Sequence, residues 1–85
     1  MYKKSKKEFC SLGFDIKIQI LLEDGEKLLE RIFLYYEIYL YALGDFYVEL
    51  WCRQNSHRID KIVAVDIDEI FHIYENQIDL NKLLD

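Results

Sequence analysis

Asp66, Asp68, Glu69 and His72 fall within seven residues of one another, close to the C-terminal end of the sequence. Glu69 and His72 are three apart, a spacing that sets a carboxylate and an imidazole on one helical face, as in carboxylate-bridged metal centres. One helix supplies too few ligands for such a centre, and Glu69 has a simpler task. Asp66 is a suitable helix N-cap, and Glu69 at the third position after it completes a capping box for the free backbone N–H groups. No metal is therefore expected. Cys52 and His57 raise a second chemistry, a thiolate activated by an imidazole. Cys52 is expected to point inward, His57 sits in a polar turn beside Arg58, and neither has a group to orient it. Glycine occurs only at positions 13, 25 and 44, so no glycine-rich phosphate loop exists, and Gly-x-Ser-x-Gly, His-Glu-x-x-His and Cys-x-x-Cys are all missing. A pair such as Asp66 and Asp68 without a cleft reads as a solvated edge, not an acid/base dyad. These residues predict a protein that is not an enzyme, with no cofactor and no small-molecule substrate.

The elements that would position these groups must fit in 85 residues, which is room for one small domain spanning 1–85. Hydrophobic residues make up 52% of the chain and aromatics 15%, ample for a core and incompatible with a disordered chain. Lys3, Lys4, Lys6 and Lys7 against Glu8 give residues 1–8 a charge of +3 within a total of −5, leaving −8 on the body. Residues 1–8 read as a solvated, Lys-rich flexible arm, and an acidic body makes nucleic acid an unlikely partner. No apolar stretch follows the lysines as a signal peptide requires, and the longest nonpolar run, 32–43, is interrupted by Glu37 and too short to span a bilayer. A cytoplasmic protein without membrane contact is expected. Cys10 and Cys52 would then be reduced thiols, since their spacing matches no zinc or redox pattern.

Residues 14–22 alternate: Phe14, Ile16, Ile18, Ile20 and Leu22 point one way, and Asp15, Lys17 and Gln19 the other. This period of two predicts a half-buried strand, and Asp24-Gly25 predicts a tight hairpin turn after it. Residues 27–43 satisfy helical spacing as well, through Leu28, Leu29, Ile32, Phe33, Tyr36, Tyr39, Leu40 and Leu43, with Gly44 placed to cap a helix. Their β-branched and aromatic content favours a strand over residues 30–41. Leu43-Gly44-Asp45 turns the chain into a strand over 46–53, residues 54–57 form a polar turn, and 58–65 form another strand. The period then changes. Asp66 opens a short helix whose inner face is Ile67, Ile70, Phe71 and Tyr74, and Ile78, Leu80, Leu83 and Leu84 are expected to pack the tail down. The whole is an α+β domain, an antiparallel four-stranded meander with one short C-terminal helix on one face, because every connection is too short for a parallel crossover.

The string Leu43-Gly44-Asp45-Phe46-Tyr47-Val48-Glu49-Leu50-Trp51, followed by a strand and Gln77-Ile78-Asp79-Leu80, resembles a group of small uncharacterised bacterial proteins. The likeness covers roughly the C-terminal half of the chain. It implies a bacterial source, and neither an activity nor any site residue.

Alternation along 30–41 and 46–53 places Ile32, Leu34, Tyr36, Ile38 and Leu40 with Phe46, Val48, Leu50 and Cys52 on a core face. Phe33, Tyr35, Glu37, Tyr39 and Tyr41 then share the opposite face with Tyr47, Glu49, Trp51 and Arg53. Tyr, Trp and Arg are the residue types enriched at interface cores, and contiguous exposed rings need a cover. Three covers are open: the N-terminal segment through Phe9, Cys10 and Leu12; a second copy in a symmetric dimer; or another macromolecule. The expected function is a non-enzymatic protein-interaction module, self-associating or binding a protein partner, with Tyr35, Tyr39, Tyr41, Tyr47, Glu49, Trp51 and Arg53 as its interface. Two alternatives stand beside it. The acidic body would mimic nucleic-acid phosphates and block a DNA- or RNA-binding protein, or the rings and the Lys-rich arm would bind a single nucleic-acid strand.

Overall fold

Gly44 occupies the first position of a two-residue hairpin loop with φ +64°, a backbone state that L side chains rarely adopt. In the computed structural model, which describes residues 2–74, this loop joins strands β2 (Tyr36–Leu43) and β3 (Phe46–Arg53). Strand β1 (Glu26–Phe33) precedes them, strand β4 (Ile59–Val65) follows, and the four form one antiparallel sheet in the order β1-β2-β3-β4. The meander and its C-terminal helix, α3 (Ile67–Tyr74), are as the sequence predicts. Two further helices, α1 (Lys6–Cys10) and α2 (Phe14–Asp24), precede the sheet. The expected packing of Ile78, Leu80, Leu83 and Leu84 lies outside the described residues.

The strands themselves are partly different ones. Residues 14–22, expected as a strand, are the body of helix α2. Gly25 does not form a hairpin turn: its φ is −79°, and a side chain there would put a Cβ 2.6 Å from the carbonyl oxygen of Leu21. Glycine is thus required by close approach to the last helical turn, not by a left-handed backbone. Residues 30–41 are not one strand but parts of β1 and β2, folded at Leu34-Tyr35 so that Phe33 faces Tyr36. Leu34 takes φ +54° at the first loop position, where glycine is the usual residue. Gln54 from the next turn holds this loop. Its backbone N–H donates to the Tyr35 carbonyl at 2.9 Å, and its side-chain amide donates to Leu34 and Tyr36 carbonyls at 3.3 and 3.5 Å.

Both sheet faces are covered. On one, Leu43, Phe46 and Val48 meet Tyr2, Phe9 of α1 and Leu21 of α2, with Tyr41, Leu50, Ile62 and Ala64 packed at the margin. The rings of Tyr2, Phe9 and Phe46 lie 5.6–6.2 Å apart, edge-on or tilted. On the other, Leu40, Val65, Leu28, Leu29, Tyr47 and Val63 receive Ile70 and Tyr74 of α3. Leu28 and Leu29 share this face because the ladder shifts by one residue between Lys27 and Leu29, the signature of a bulge. Residues 1–8, expected as a flexible arm, are in part tied into the fold. Tyr2 is buried, Ser5 and Glu8 form a capping box for α1, and Lys6 reaches Asp66 at 2.7 Å. At α3 the Asp66 backbone N–H donates to Glu69 at 3.3 Å, half of the expected box, while the Asp66 carboxylate goes to Lys6.

Gly44 also carries the Tyr2 carbonyl oxygen 2.6 Å from where a Cβ would stand. Gly44→Ala should therefore destabilise the fold by about 1–3 kcal/mol, combining left-handed strain with displacement of the Tyr2 backbone. Denaturant titration of the variant against the parent measures this.

Candidate functional site

A two-residue loop pairs even-numbered positions of β2 with odd-numbered positions of β3: Ala42 with Tyr47, Leu40 with Glu49, Ile38 with Trp51 and Tyr36 with Arg53. The face expected to be aromatic is therefore divided. Tyr47, Glu49, Trp51 and Arg53 do share one face, and Phe33 joins them from β1. Tyr39 and Tyr41 lie on the other, opposite Leu50 and Val48. Tyr35 lies in the β1–β2 loop, 78% exposed. The core residues Tyr36, Ile38 and Leu40, expected opposite Trp51, lie beside it. Parity changes at two places: the two-residue Gly44-Asp45 loop separates Tyr39 and Tyr41 from Tyr47 and Trp51, and the turn at Leu34-Tyr35 separates Phe33 from Tyr39, so that Phe33 rejoins Trp51.

Glu49 sits at the centre of the Trp51 face, 2% exposed, and a carboxylate so placed must be fully partnered. Arg31 Nη2 donates to it at 3.2 Å, the Tyr74 hydroxyl at 2.8 Å, and the Trp51 indole N–H at 3.3 Å. The Arg31 guanidinium lies 5.2–5.8 Å from the ring centroids of Tyr74, Trp51 and Phe33, within range of a cation–π attraction. Trp51 also carries the Lys61 ammonium 3.9 Å from its centroid and the edges of Phe33 and Tyr36 at 6.1 and 5.2 Å. Burial pushes the Tyr74 phenol well up, with Glu49 acting in the same direction against Arg31, so Tyr74 stays a hydrogen-bond donor at any physiological pH. Toward the loop end, Asp60 takes Arg53 Nε at 2.6 Å and the Tyr36 hydroxyl at 3.0 Å. The Arg53 hydrogen bond, seconded by Tyr36, holds the Asp60 carboxyl below the usual range.

Neither chemistry raised by the sequence is assembled. Among the described residues no three of His, Cys, Asp and Glu lie together as a metal site requires. Burial, with Glu37 nearby, pushes the Cys52 thiol up, which disfavours a thiolate, and Cys10 and Cys52 are both free. No helix among the described residues is long and apolar enough to cross a membrane. The N-terminal segment does cover sheet rings, but those of Tyr41 and Phe46, not Trp51. Arg31, Tyr36, Asp60, Lys61 and Tyr74 belong to the Trp51 face and were not in the expected interface. Arg31, beside Glu30 within an apolar stretch, and Tyr74, on a helix, carried no sequence signal of meeting Glu49.

The β1–β2 hairpin tip exposes four hydrophobic residues in succession. Ile32 is 70% exposed, Phe33 47%, Leu34 70% and Tyr35 78%. A shallow concavity lined by Leu34, Tyr35, Arg53, Gln54 and Asn55 adjoins it. Comparison of the chain with protein-family models, with curated proteins and with solved structures returned no match.

Glu49→Ala should destabilise by about 2–4 kcal/mol, because it leaves the half-buried Arg31 without its counter-charge and Tyr74 without its acceptor, while Glu49→Gln, which keeps two acceptor hydrogen bonds, should cost less. Thermal unfolding of both variants tests this. The hydrogen bond from Tyr39 to Glu37, 2.6 Å long, pushes the Tyr39 phenol to about 12. The folded-state value lies above the unfolded one, so this contribution to stability is complete below about pH 10 and is lost as pH rises through about 12. In a Glu37→Gln variant, ultraviolet titration of the tyrosines should show one phenol returning toward the ordinary value.

Proposed function

We propose that this chain is a non-enzymatic protein-interaction module that inserts its β1–β2 hairpin tip into an apolar recess of a partner protein, with Trp51 and Arg53 at the rim of the contact. One observation carries the reading: four consecutive large hydrophobic residues, Ile32 to Tyr35, stand at least 47% exposed at the end of an ordered sheet. Scattered exposed hydrophobics are ordinary, but a contiguous run at a protruding tip is characteristic of a contact surface. The strained backbone of Leu34 adds to it. An apolar side chain kept at positive φ and in water contributes neither to local propensity nor to the core, and such strain concentrates where function requires a shape.

The charges beside the tip favour a protein over a nucleic acid. Arg53 is bonded to Asp60 and Arg31 to Glu49, so neither has charge to spare for a phosphate. Glu37 stands directly opposite Ile32 in the ladder. Rings with polar tips next to satisfied ion pairs form the apolar centre and polar rim of ordinary protein contacts.

Leu34→Gly separates the two roles of the tip. Relief of the left-handed strain should raise stability by about 0.5–1 kcal/mol, while partner binding falls at least about tenfold through loss of a central apolar contact. The measurements are thermal unfolding, and recovery of bound proteins from host lysate by parent and variant side by side. Trp51 is the only tryptophan, so its emission should shift on adding a recovered partner. Identical recovery by parent and Leu34→Gly overturns the proposal.

A further inference from the structure

The two edges of the sheet are unequally defended. Natural sheets protect an edge with charges and bulges that block pairing with another chain. Strand β1 has both. Glu26, Lys27 and Glu30 are exposed along it, Lys27 and Glu30 pair at 3.5 Å, and a bulge follows Lys27 near the start of the strand. Strand β4 has two charged residues, Asp60, half-buried, and Lys61, exposed, both at its start. The Asp60 carboxylate is held by Arg53 and Tyr36, and the Lys61 ammonium lies over the Trp51 ring, 3.9 Å from its centroid. The ladder irregularity of β4 falls at its start, between Ile59 and Lys61, and leaves Lys61–Val65 as a regular run. Four of those five residues are Ile62, Val63, Ala64 and Val65. Among the described residues, no hydrogen bond joins the outer side of this run to another segment.

We propose that a second copy of the chain adds at this edge, β4 against β4, antiparallel about a two-fold axis through Val63, so that two four-stranded sheets become one continuous sheet. The register follows from the residues. Side chains alternate between faces, so a two-fold pairing brings together only residues of the same face. Centred on Val63, it sets Val63 against itself, Ile62 against Ala64, and Lys61 against Val65, using the whole regular run. Centring on Lys61 would oppose two ammonium groups, and centring on Ile62 or Ala64 would run the pairing into the irregularity or off the strand end. Just beyond the run, Asp60 approaches Asp66 of the second copy. Each already has its own cation, Arg53 at 2.6 Å and Lys6 at 2.7 Å, so the approach of two carboxylates is neutralised in advance. The contact is isologous and closes at two copies, leaving β1 as the protected outer edge on both sides.

This inference does not rest on the hairpin-tip reading, because the tip and the outer side of β4 are different surfaces. Light scattering over a dilution series should give twice the chain mass, and amide exchange at Lys61–Val65 should slow as concentration rises. On a Cys10→Ser, Cys52→Ser background, Val63→Cys places two thiols on the axis with Cβ atoms about 4.5–5.5 Å apart, so mild oxidation should link the dimer. Lys61→Cys, off the axis, should link at least about tenfold less. Leu34→Gly should leave the dimer mass unchanged. A monomer at all concentrations, concentration-independent protection of β4, or equal linking from positions 61 and 63 overturns the proposal.

Discussion

The carboxylate of Glu49 is the group around which the rest of the structure is arranged. It stands on the central strand β3, where water cannot reach it, and an ion in that position is tolerated only with several donors. Its three donors come from different parts of the chain: Arg31 from the edge strand β1, Tyr74 from helix α3, and Trp51 from its own strand. A purely apolar contact would let the helix slide over the sheet. Hydrogen bonds to one carboxylate fix where α3 lies and which way Arg31 turns. Arg31 in turn aligns the rings of Phe33 and Trp51 beside it, so the shape of the aromatic face follows from how one buried charge is satisfied.

With α3 on that face and α1 and α2 on the other, the sheet has little free area left. Phe9 and Tyr2 close the second face by packing on Phe46, a contact that also brings the Tyr2 carbonyl against Gly44. Interaction surfaces must then be sought at the margins, at a hairpin tip or a strand edge, not on the broad aromatic face that the alternation suggested. Cross-strand bonds such as Arg53 to Asp60, and the stacking of Lys61 on Trp51, draw charge inward from those margins. They strengthen the sheet and leave Ile62–Val65 of the β4 edge as an uncharged run.

Helix α2 shows how a correct reading of pattern can lead to the wrong element. Its period-two alternation would serve a strand well, and as a helix it distributes apolar side chains around the whole circumference. Phe14, Ile16 and Leu22 are left 44%, 51% and 77% exposed. Leu21, which the alternation set apart from the apolar file, is the residue the helix buries. The sheet face over Leu43 and Phe46 needs a cover, and a helix delivering Leu21 and Ile20 there outweighs the local preference. The loop at Leu34-Tyr35 is a second case of tertiary control. It contains no Gly, Asn or Asp, and its carbonyls are held from outside by Gln54.

Sequence alone determined those elements whose signals are local. The Gly44-Asp45 hairpin, the strand after it, the strand that becomes β4, and the change of period at Asp66 were all legible, because turn chemistry, β-branched composition and helix capping act over a few residues. So was the antiparallel α+β class, which follows from connections too short for a crossover. The tertiary structure alone decided which residues share a face. That depends on parity across turns, and a turn at Leu34-Tyr35, stabilised by a residue twenty positions away, has no local mark. It also decided the meeting of Arg31, Glu49 and Tyr74, since a buried charge network is selected by desolvation, which exists only once the layers have closed around it.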